Sequence, residues 1–190
     1  MAKILVTGGA GYIGSHTCIQ LLSAGHEVVV LDNLSNSSVE SLARVQALAA
    51  KKLDFVEGDI LDQQILDQIF QHHSIDAVIH FAGLKAVGES QKEPLKYFEN
   101  NISGSISLVK AMERAQVFKL VFSSSATVYG EANISPLNET MPTGMPSNNY
   151  GYTKLIVEQL LEKLALADER WSIALLRYFN PVGAHQSGQI

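Results

Sequence analysis

The chain contains 190 residues, of which 46% are hydrophobic and 17% are charged, and its formal net charge is −5. This size and composition predict a single globular domain with a substantial apolar core. The basic residues are scattered along the chain, so we expect neither a nucleic-acid partner nor a membrane-surface role.

The start of the chain favours a cytoplasmic protein without disulfides. Residues 3–6 form an apolar strand at once, with no signal-peptide pattern, and no long apolar span follows. Cys18 is the only cysteine, which excludes an intramolecular disulfide. It lies on the apolar side of the first predicted helix, so we expect a buried structural thiol.

A glycine-rich turn follows the first strand. Lys3–Thr7 is typical of a buried parallel strand, and a helix predicted to end near Ser23 comes after the turn. Glycine is needed where the turn is tight, where backbone approaches a pyrophosphate and where helix packs on strand. The helix N-terminus then offers free N–H groups to phosphates. Without its flanking strand and helix this would be a flexible loop, but in this context it predicts a dinucleotide site built on Gly8, Gly11 and Gly14.

The second predicted strand, Glu27–Leu31, ends in Asp32. This acid lies 18 residues after Gly14, close to the spacing of about 20 expected for a carboxylate that bonds the adenosine ribose. A carboxylate repels a 2′-phosphate, and no Lys or Arg lies between Asp32 and Glu40 to accept one. NAD is therefore predicted rather than NADP. An Asp that only caps a turn is the alternative.

Asp59 follows the third predicted strand. A helix over Val39–Ala50 and a strand over Leu53–Val56 precede it. Its carboxylate could accept a hydrogen bond from an adenine amino group or cap a helix beginning near Leu61. The residues alone leave both possibilities open.

Small residues follow the fourth predicted strand, Ala77–His80. In Phe81–Lys85 they let the backbone pass close to a ligand, and Lys85 can reach a phosphate. His72 and His73 are expected at the solvated end of the preceding helix. No other residues complete a metal site, so no metal is predicted.

Polar residues interrupt the next two elements. A long helix is predicted over Pro94–Ala115, and it contains Asn100 and Asn101. Because asparagine is a poor helix-interior residue, we expect one of them to face the sheet and bond backbone near the site. The strand Lys119–Phe122 then leads to Ser123–Ser125, which can bond a substrate hydroxyl or form a simple turn.

The helix predicted over Tyr150–Ala167 contains a Tyr-x-x-x-Lys pair. Residues four apart lie on one helix face, so Tyr150 and Lys154 can point to a common spot. A tyrosine titrates near pH ~10, and a nearby ammonium lowers that pKa toward the range of a useful base. A solvated helix face is the alternative for the pair alone.

A sixth strand, Ser172–Tyr178, completes the pattern and opens into Phe179 and Asn180. Six strands alternating with helices predict an α/β fold: a doubly wound, Rossmann-type parallel sheet with helices on both faces. We expect residues 1–190 to form one NAD-binding domain.

Together these segments resemble the extended short-chain dehydrogenase/reductase family from Ile4 to Ala184. Within that family the chain closely resembles the 4-epimerases of UDP-hexoses. The most specific segments are residues 7–16, 31–34, 80–90, 122–130 and 176–184.

The resemblance implies that a bound NAD contacts residues along the whole edge of the sheet. Tyr12 and Ile13 would touch its pyrophosphate, and Phe179 would lie near its nicotinamide. With the glycine turn, the predicted cofactor-binding residues are Gly8, Gly11, Tyr12, Ile13, Gly14, Asp32, Asn33, Leu34, Ser35, Asn36, Ser37, Asp59, Ile60, Phe81, Ala82, Gly83, Leu84, Lys85, Asn100, Tyr150, Lys154 and Phe179.

The resemblance also implies the catalytic roles. Tyr150 would be the base, and Lys154 would lower its pKa and hold the nicotinamide ribose. Ser125 would bond the sugar 4-hydroxyl, and Asn180 would contact the UDP pyrophosphate. The implied reaction interconverts UDP-glucose and UDP-galactose at C4 through a 4-keto sugar and regenerates NAD at each turnover.

Three other functions compete with this reaction. A 4,6-dehydratase of the family needs an Asp-Glu pair where this chain has Ala126 and Thr127, which cannot eliminate water. A 4-epimerase of UDP-glucuronate or of UDP-N-acetylhexosamines remains open. The family's C-terminal substrate domain is absent from this chain, so a non-catalytic NAD-binding fragment also remains open.

We expect the 190-residue chain to bind NAD but to epimerise slowly or not at all. The resemblance further implies a homodimer for the full-length protein, paired through the helices predicted over Pro94–Ala115 and Tyr150–Ala167.

Overall fold

Six parallel strands form the centre of the computed structural model, which describes residues 1–131 and 133–190. The strands are β1 Lys3–Thr7, β2 Glu27–Asp32, β3 Asp54–Glu57, β4 Ala77–His80, β5 Lys119–Ser125 and β6 Ser172–Tyr178. Their order across the sheet is β3-β2-β1-β4-β5-β6. The predicted doubly wound sheet is confirmed.

Helices connect the strands. They are α1 Tyr12–Ser23, α2 Val39–Ala49, α3 Gln63–His72, α4 Val87–Lys92, α5 Pro94–Phe98, α6 Gly104–Arg114 and α7 Asn149–Ala167. A π-helical turn over Glu99–Ser103 joins α5 to α6, and a 3₁₀ turn over Ala126–Tyr129 follows β5. In the described part of the chain, no helix is long and apolar enough to cross a membrane.

The apolar core has two layers, one on each face of the sheet. Leu66, Leu108 and Leu161 pack from α3, α6 and α7 on one face. Ile19 and Leu42 pack from α1 and α2 on the other. Because both faces are covered, the central strands are nearly continuous apolar runs, which is why they were predictable.

Cys18 lies in the second layer and is fully buried, as predicted. Burial raises the pKa of its thiol to about 12, with a smaller contribution from the negative charge of Asp32. The thiol is therefore protonated and unreactive at neutral pH.

The predicted single helix over Pro94–Ala115 is wrong in detail. The chain there forms α5, the π-helical turn and α6 in succession, and α6 ends at Arg114. At the junction Gly104 lies so close to Ile60 that a Cβ on Gly104 would come within 2.5 Å of Ile60 Cδ1. A π-helical turn inserts one extra residue and often occurs at functional sites.

The strand order reverses between β1 and β4. The chain runs outward from β1 to β3 and then returns to place β4 on the other side of β1. Loops after neighbouring strands diverge at such a point, which leaves a crevice beyond their carboxyl ends.

Candidate functional site

A cleft of about 670 Å³ occupies this crevice. It extends from the glycine turn after β1 to the end of β6, so it is long enough to hold an extended ligand. The predicted site residues that line it are Gly8, Gly11, Tyr12, Ile13, Gly14, Asp32, Asn33, Ser35, Asn36, Ile60, Phe81, Ala82, Gly83, Leu84, Lys85, Asn100, Ser125, Tyr150, Lys154, Phe179 and Asn180.

Three residues predicted to touch the cofactor do not line the cleft. Leu34 N–H and the Ser37 hydroxyl each donate to Asp32 Oδ1, at 3.0 and 2.8 Å. Asp59 accepts from the side chain of Asn33 at 2.8 Å. Leu34, Ser37 and Asp59 therefore hold cleft residues in place.

The glycine turn lets two segments of backbone approach closely. Gly8 has φ +71°, and a Cβ there would lie 2.6 Å from Ala82 N. A Cβ on Gly14 would collide with Gly8 O. Helix α1 starts after Gly11 and has no acidic residue in its first turn, so its free N–H groups are available to an anion.

Gly8→Ala is expected to destabilise the domain by about 2 kcal/mol or more, because it adds left-handed backbone strain to a clash with backbone. Urea denaturation of the purified domain measures this. Gly88→Ala is the matched control, since a Cβ there meets nothing within 4 Å. Equal stabilities of the two variants would contradict the expectation.

Asp32 is the anchor of the neighbouring turn. Its carboxylate is 7% exposed and also accepts from Ala10 N–H at 2.9 Å. Three internal donors thus fix a negative charge at the edge of the cleft. The alternative of a turn-capping Asp is partly correct, since Asp32 bonds the turn and lines the cleft.

Asp59 also does not cap the third helix. The N-cap of α3 is Asp62, whose side chain accepts from Gln64 N–H and Ile65 N–H. Asp59 instead accepts from Leu61 N–H at 2.9 Å in the preceding turn. The helix starts two residues later than predicted because Asp62 offers the better-placed acceptor.

Asn101 braces the loop after β4. Its side chain accepts from Leu84 N–H at 2.8 Å, donates to Leu84 O at 3.0 Å and donates to Thr153 Oγ1 at 3.0 Å. The expectation that one of two asparagines bonds backbone near the site is met by Asn101. Asn100 lines the cleft, and both asparagines lie in the π-helical turn.

A buried hydrogen-bond chain that the sequence analysis missed lies beneath this loop. His80 Nδ1 is 2.7 Å from Thr7 Oγ1, and its Nε2 is 3.0 Å from Ser105 Oγ, which donates to Asn101 O. Burial, helped by the positive charge of Lys154, lowers the pKa of His80 to about 3. The ring is therefore neutral and links β1, β4 and α6; only its position at a strand end could have indicated this.

Lys154 lies deep in the cleft, 6% exposed. Its ammonium group donates to Ser123 O at 2.8 Å and lies 4.8 Å from the centre of the Phe122 ring. Burial lowers the pKa of Lys154 to about 8. A solvated helix face, the alternative for the Tyr-x-x-x-Lys pair, is thereby excluded.

The side chains of Tyr150 and Ser125 both line the cleft, next to buried Lys154. Ser125 Oγ accepts from Thr127 N–H and Thr127 Oγ1, at 3.3 and 3.0 Å, so its own hydrogen is free to be donated to the phenolic oxygen. Burial raises the pKa of Tyr150, and the nearby Ser125 hydroxyl opposes that rise. The role of Lys154 in lowering this pKa stays a prediction; in the structure its ammonium group donates to Ser123 O.

Lys154→Met is expected to stabilise the domain by about 2 kcal/mol at neutral pH. The variant no longer buries a charge, and this gain exceeds the loss of one hydrogen bond. Below pH 8 the folded protein buries a charge that the unfolded chain keeps in water. Above about pH 8 the folded lysine loses its proton, and near the ordinary value of 10.5 the unfolded lysine loses its proton as well. The stability gained by the substitution therefore shrinks over this range.

Urea denaturation at several pH values measures this gain, with the exposed Lys163→Met on the same helix as control. A Lys154→Met variant that is less stable than the parent at pH 7, or a gain independent of pH, would contradict it.

The fold and the cleft define a class of protein: a Rossmann-type domain of the short-chain dehydrogenase/reductase kind, with a glycine turn at one end of its cleft and a Tyr-x-x-x-Lys pair at the other. The chain belongs to the NAD dependent epimerase/dehydratase family, whose model matches residues 4–190.

Known relatives agree with this assignment. The chain is 60% identical over 187 residues to a UDP-glucose 4-epimerase of Bacillus subtilis, covering 98% of this chain and 55% of that protein. It is 56% identical over 190 residues to a UDP-glucose 4-epimerase of Neisseria meningitidis serogroup B, of which it covers 56%. The chain thus spans about half the length of these relatives.

Solved structures show the same fold. The UDP-glucose 4-epimerase of Bifidobacterium longum, crystallised with NAD⁺ and UDP, superimposes with a TM-score of 0.97 at 48% identity. That match covers 99% of this chain and 56% of the crystallised one. The enzyme of Stenotrophomonas maltophila, with bound NAD and formylated UDP-arabinopyranose, gives a TM-score of 0.96 at 53% identity.

Proposed function

We propose that this chain is the NAD-binding domain of an epimerase that interconverts UDP-glucose and UDP-galactose at C4. The observation that supports this most is the placement of Ser125 and Tyr150 beside buried Lys154, in one cleft with the glycine turn. The matched region is about half of each relative. We propose that the remainder holds the uridine and completes the sugar pocket.

The residues of the cleft fit a dinucleotide. Gly8 and Gly14 let the turn pack tightly against neighbouring backbone, and the first turn of α1 lines the cleft with free N–H groups. Lys85 lies on the cleft wall and can neutralise a phosphate. Asp32 would accept from the adenosine ribose and would repel a 2′-phosphate, so NAD is favoured over NADP.

When bound, NAD would accept and return the hydride at C4, and its charged ring would favour the phenolate of Tyr150. Tyr150 takes the proton of the sugar 4-hydroxyl while Ser125 holds that hydroxyl. Loss of the proton from oxygen and of hydride from carbon leaves a 4-keto sugar. Tyr150 returns the proton after the sugar has turned, so that hydride arrives on its other face and the configuration at C4 is inverted.

Ala126 and Thr127 exclude a dehydratase. Elimination of water needs an acid and a base next to the sugar, and these two side chains provide neither. In the structure the Thr127 hydroxyl donates to Ser125 Oγ at 3.0 Å, so it orients the serine.

We propose a cytoplasmic homodimer for the complete protein. Its support is the family resemblance together with two exposed leucines, Leu95 on α5 and Leu166 on α7, which are 83% and 80% exposed. Light scattering of the complete protein tests this, because substitution of both leucines by aspartate should yield monomers if these helices form the interface.

Proton NMR tests the reaction. UDP-galactose is mixed with NAD and either this chain or the complete protein, and the anomeric signal of UDP-glucose is followed. We expect conversion without net NADH by the complete protein and little or none by this chain. Absence of conversion by the NAD-loaded complete protein would show that the function is different, whereas robust turnover by this chain would show that the matched region suffices.

A further inference from the structure

The first turn of α7, which contains Tyr150, is held by the short helix α4. Tyr150 N–H donates to Ser90 Oγ at 3.1 Å. The Asn149 side chain donates to Ser90 O at 2.9 Å, and Asn149 N–H donates to Gln91 Oε1 at 3.3 Å. The start of the helix that bears the proposed base is therefore attached directly to α4.

These contacts complete the capping of α7. The first N–H groups of a helix have no acceptor within the helix itself. Asn148, the N-cap residue, accepts from Gly151 N–H at 2.8 Å. It does not serve Tyr150, whose N–H depends on Ser90. Loss of the Ser90 hydroxyl would leave that N–H without its acceptor and would loosen the turn in which Tyr150 lies.

Ser90 is well placed to fix the position of Tyr150. It is fully buried, at 0% exposure. Its hydroxyl donates to Val87 O at 2.7 Å while it accepts from Tyr150 N–H, so both of its hydrogen-bonding directions are used. A buried hydroxyl with two fixed partners has little freedom to move.

Helix α4 is itself anchored. The hydroxyl of buried Tyr97 accepts from Ala86 N–H at 3.0 Å and donates to Glu89 Oε2 at 2.8 Å. Ala86 directly follows the loop Phe81–Lys85, which lines the cleft. One rigid segment therefore links the proposed cofactor loop to the first turn of α7.

We propose that Ser90 is a positioning residue for the reaction, whose hydroxyl sets the place of Tyr150 relative to Ser125 and the sugar. This inference rests on the proposed function, because it concerns the group that moves the proton. Proton transfer requires the two heavy atoms to approach within hydrogen-bonding distance, and a small misplacement lowers the rate steeply.

Two substitutions in the complete, NAD-loaded protein test it. Ser90→Ala removes the acceptor. Ser90→Cys keeps the shape of the side chain, with a slightly larger atom, and replaces the hydroxyl with a weak acceptor, so it serves if the alanine variant fails to fold. For both we expect kcat to fall about 10- to 100-fold with little change in KM or in NAD affinity. Asp62→Ala is the matched control, since it removes a side-chain acceptor from the first turn of α3 and does not line the cleft.

A second readout separates positioning from stability. If Ser90 acts through Tyr150, Ser90→Cys lowers the residual rate no further in a Tyr150→Phe background. A kcat of Ser90→Cys equal to that of Asp62→Ala, or an equal loss with and without the Tyr150 hydroxyl, would overturn the inference. A full rate in Tyr150→Phe itself would instead overturn the proposed function.

Discussion

Replacing Tyr150 with phenylalanine is expected to lower the rate of UDP-galactose conversion by about 10²- to 10⁴-fold, the usual contribution of a positioned acid–base group. The substitution removes one oxygen from a half-buried ring that lies in the cleft with Ser125. The fold and the glycine turn are untouched, so NAD affinity should be nearly unchanged. Steady-state kinetics of the complete protein, with NAD binding measured separately, test both statements.

Tyr152→Phe provides the control on the same helix, since Tyr152 does not line the cleft. Its rate should remain close to that of the parent. Similar rates for Tyr150→Phe and Tyr152→Phe would show that Tyr150 is not the group that moves the proton.

Breaking the ion pair between Glu158 and Arg177 is expected to give the largest loss of stability. Glu158 on α7 is 1% exposed, and both of its oxygens accept from the guanidinium of Arg177 on β6, with an Nη2–Oε2 distance of 2.9 Å. The guanidinium also lies 4.8 Å from the centre of the Tyr129 ring. Hydrogen bonding to Glu158 raises the pKa of Arg177, so it remains charged.

Glu158→Ala leaves that charge without its partner, and we expect a loss of about 3–5 kcal/mol in the free energy of unfolding. Chemical denaturation measures it, with the exposed Glu162→Ala on the same helix as control. Replacement of both partners by leucine should recover much of the loss, because an apolar pair needs no charge compensation. A loss in Glu158→Ala no larger than in Glu162→Ala would contradict this.

The parts of the fold that the sequence predicted correctly are those set by local patterns. The strands are short apolar runs because both faces of the sheet are covered, and the glycine turn has a spacing that few other structures require. Asp32 could be placed at the cleft because it ends the apolar strand β2, and the carboxyl ends of the strands border the cleft.

Tertiary contacts determined what the sequence left open. The π-helical turn lies where Gly104 meets Ile60 and Asn101 bonds Leu84, and neither contact has a periodic signal. Helix α4 is only six residues long, too short for its pattern to be recognised.

The pKa of Tyr150 was also beyond sequence reasoning. Its direction depends on burial, which is opposed by the nearby Ser125 hydroxyl. Both follow from how α7 packs on β5, which the spacing of Tyr150 and Lys154 does not reveal.

Every step of the proposed reaction depends on NAD held in this cleft, and calorimetric titration of the 190-residue domain with NAD and NADP tests that directly. The fixed carboxylate of Asp32 should favour NAD, and we expect NADP to bind at least about tenfold more weakly. Saturable binding of NAD with this preference is the predicted result. No binding of NAD, or equal affinity for NADP, would contradict the assignment of the cleft.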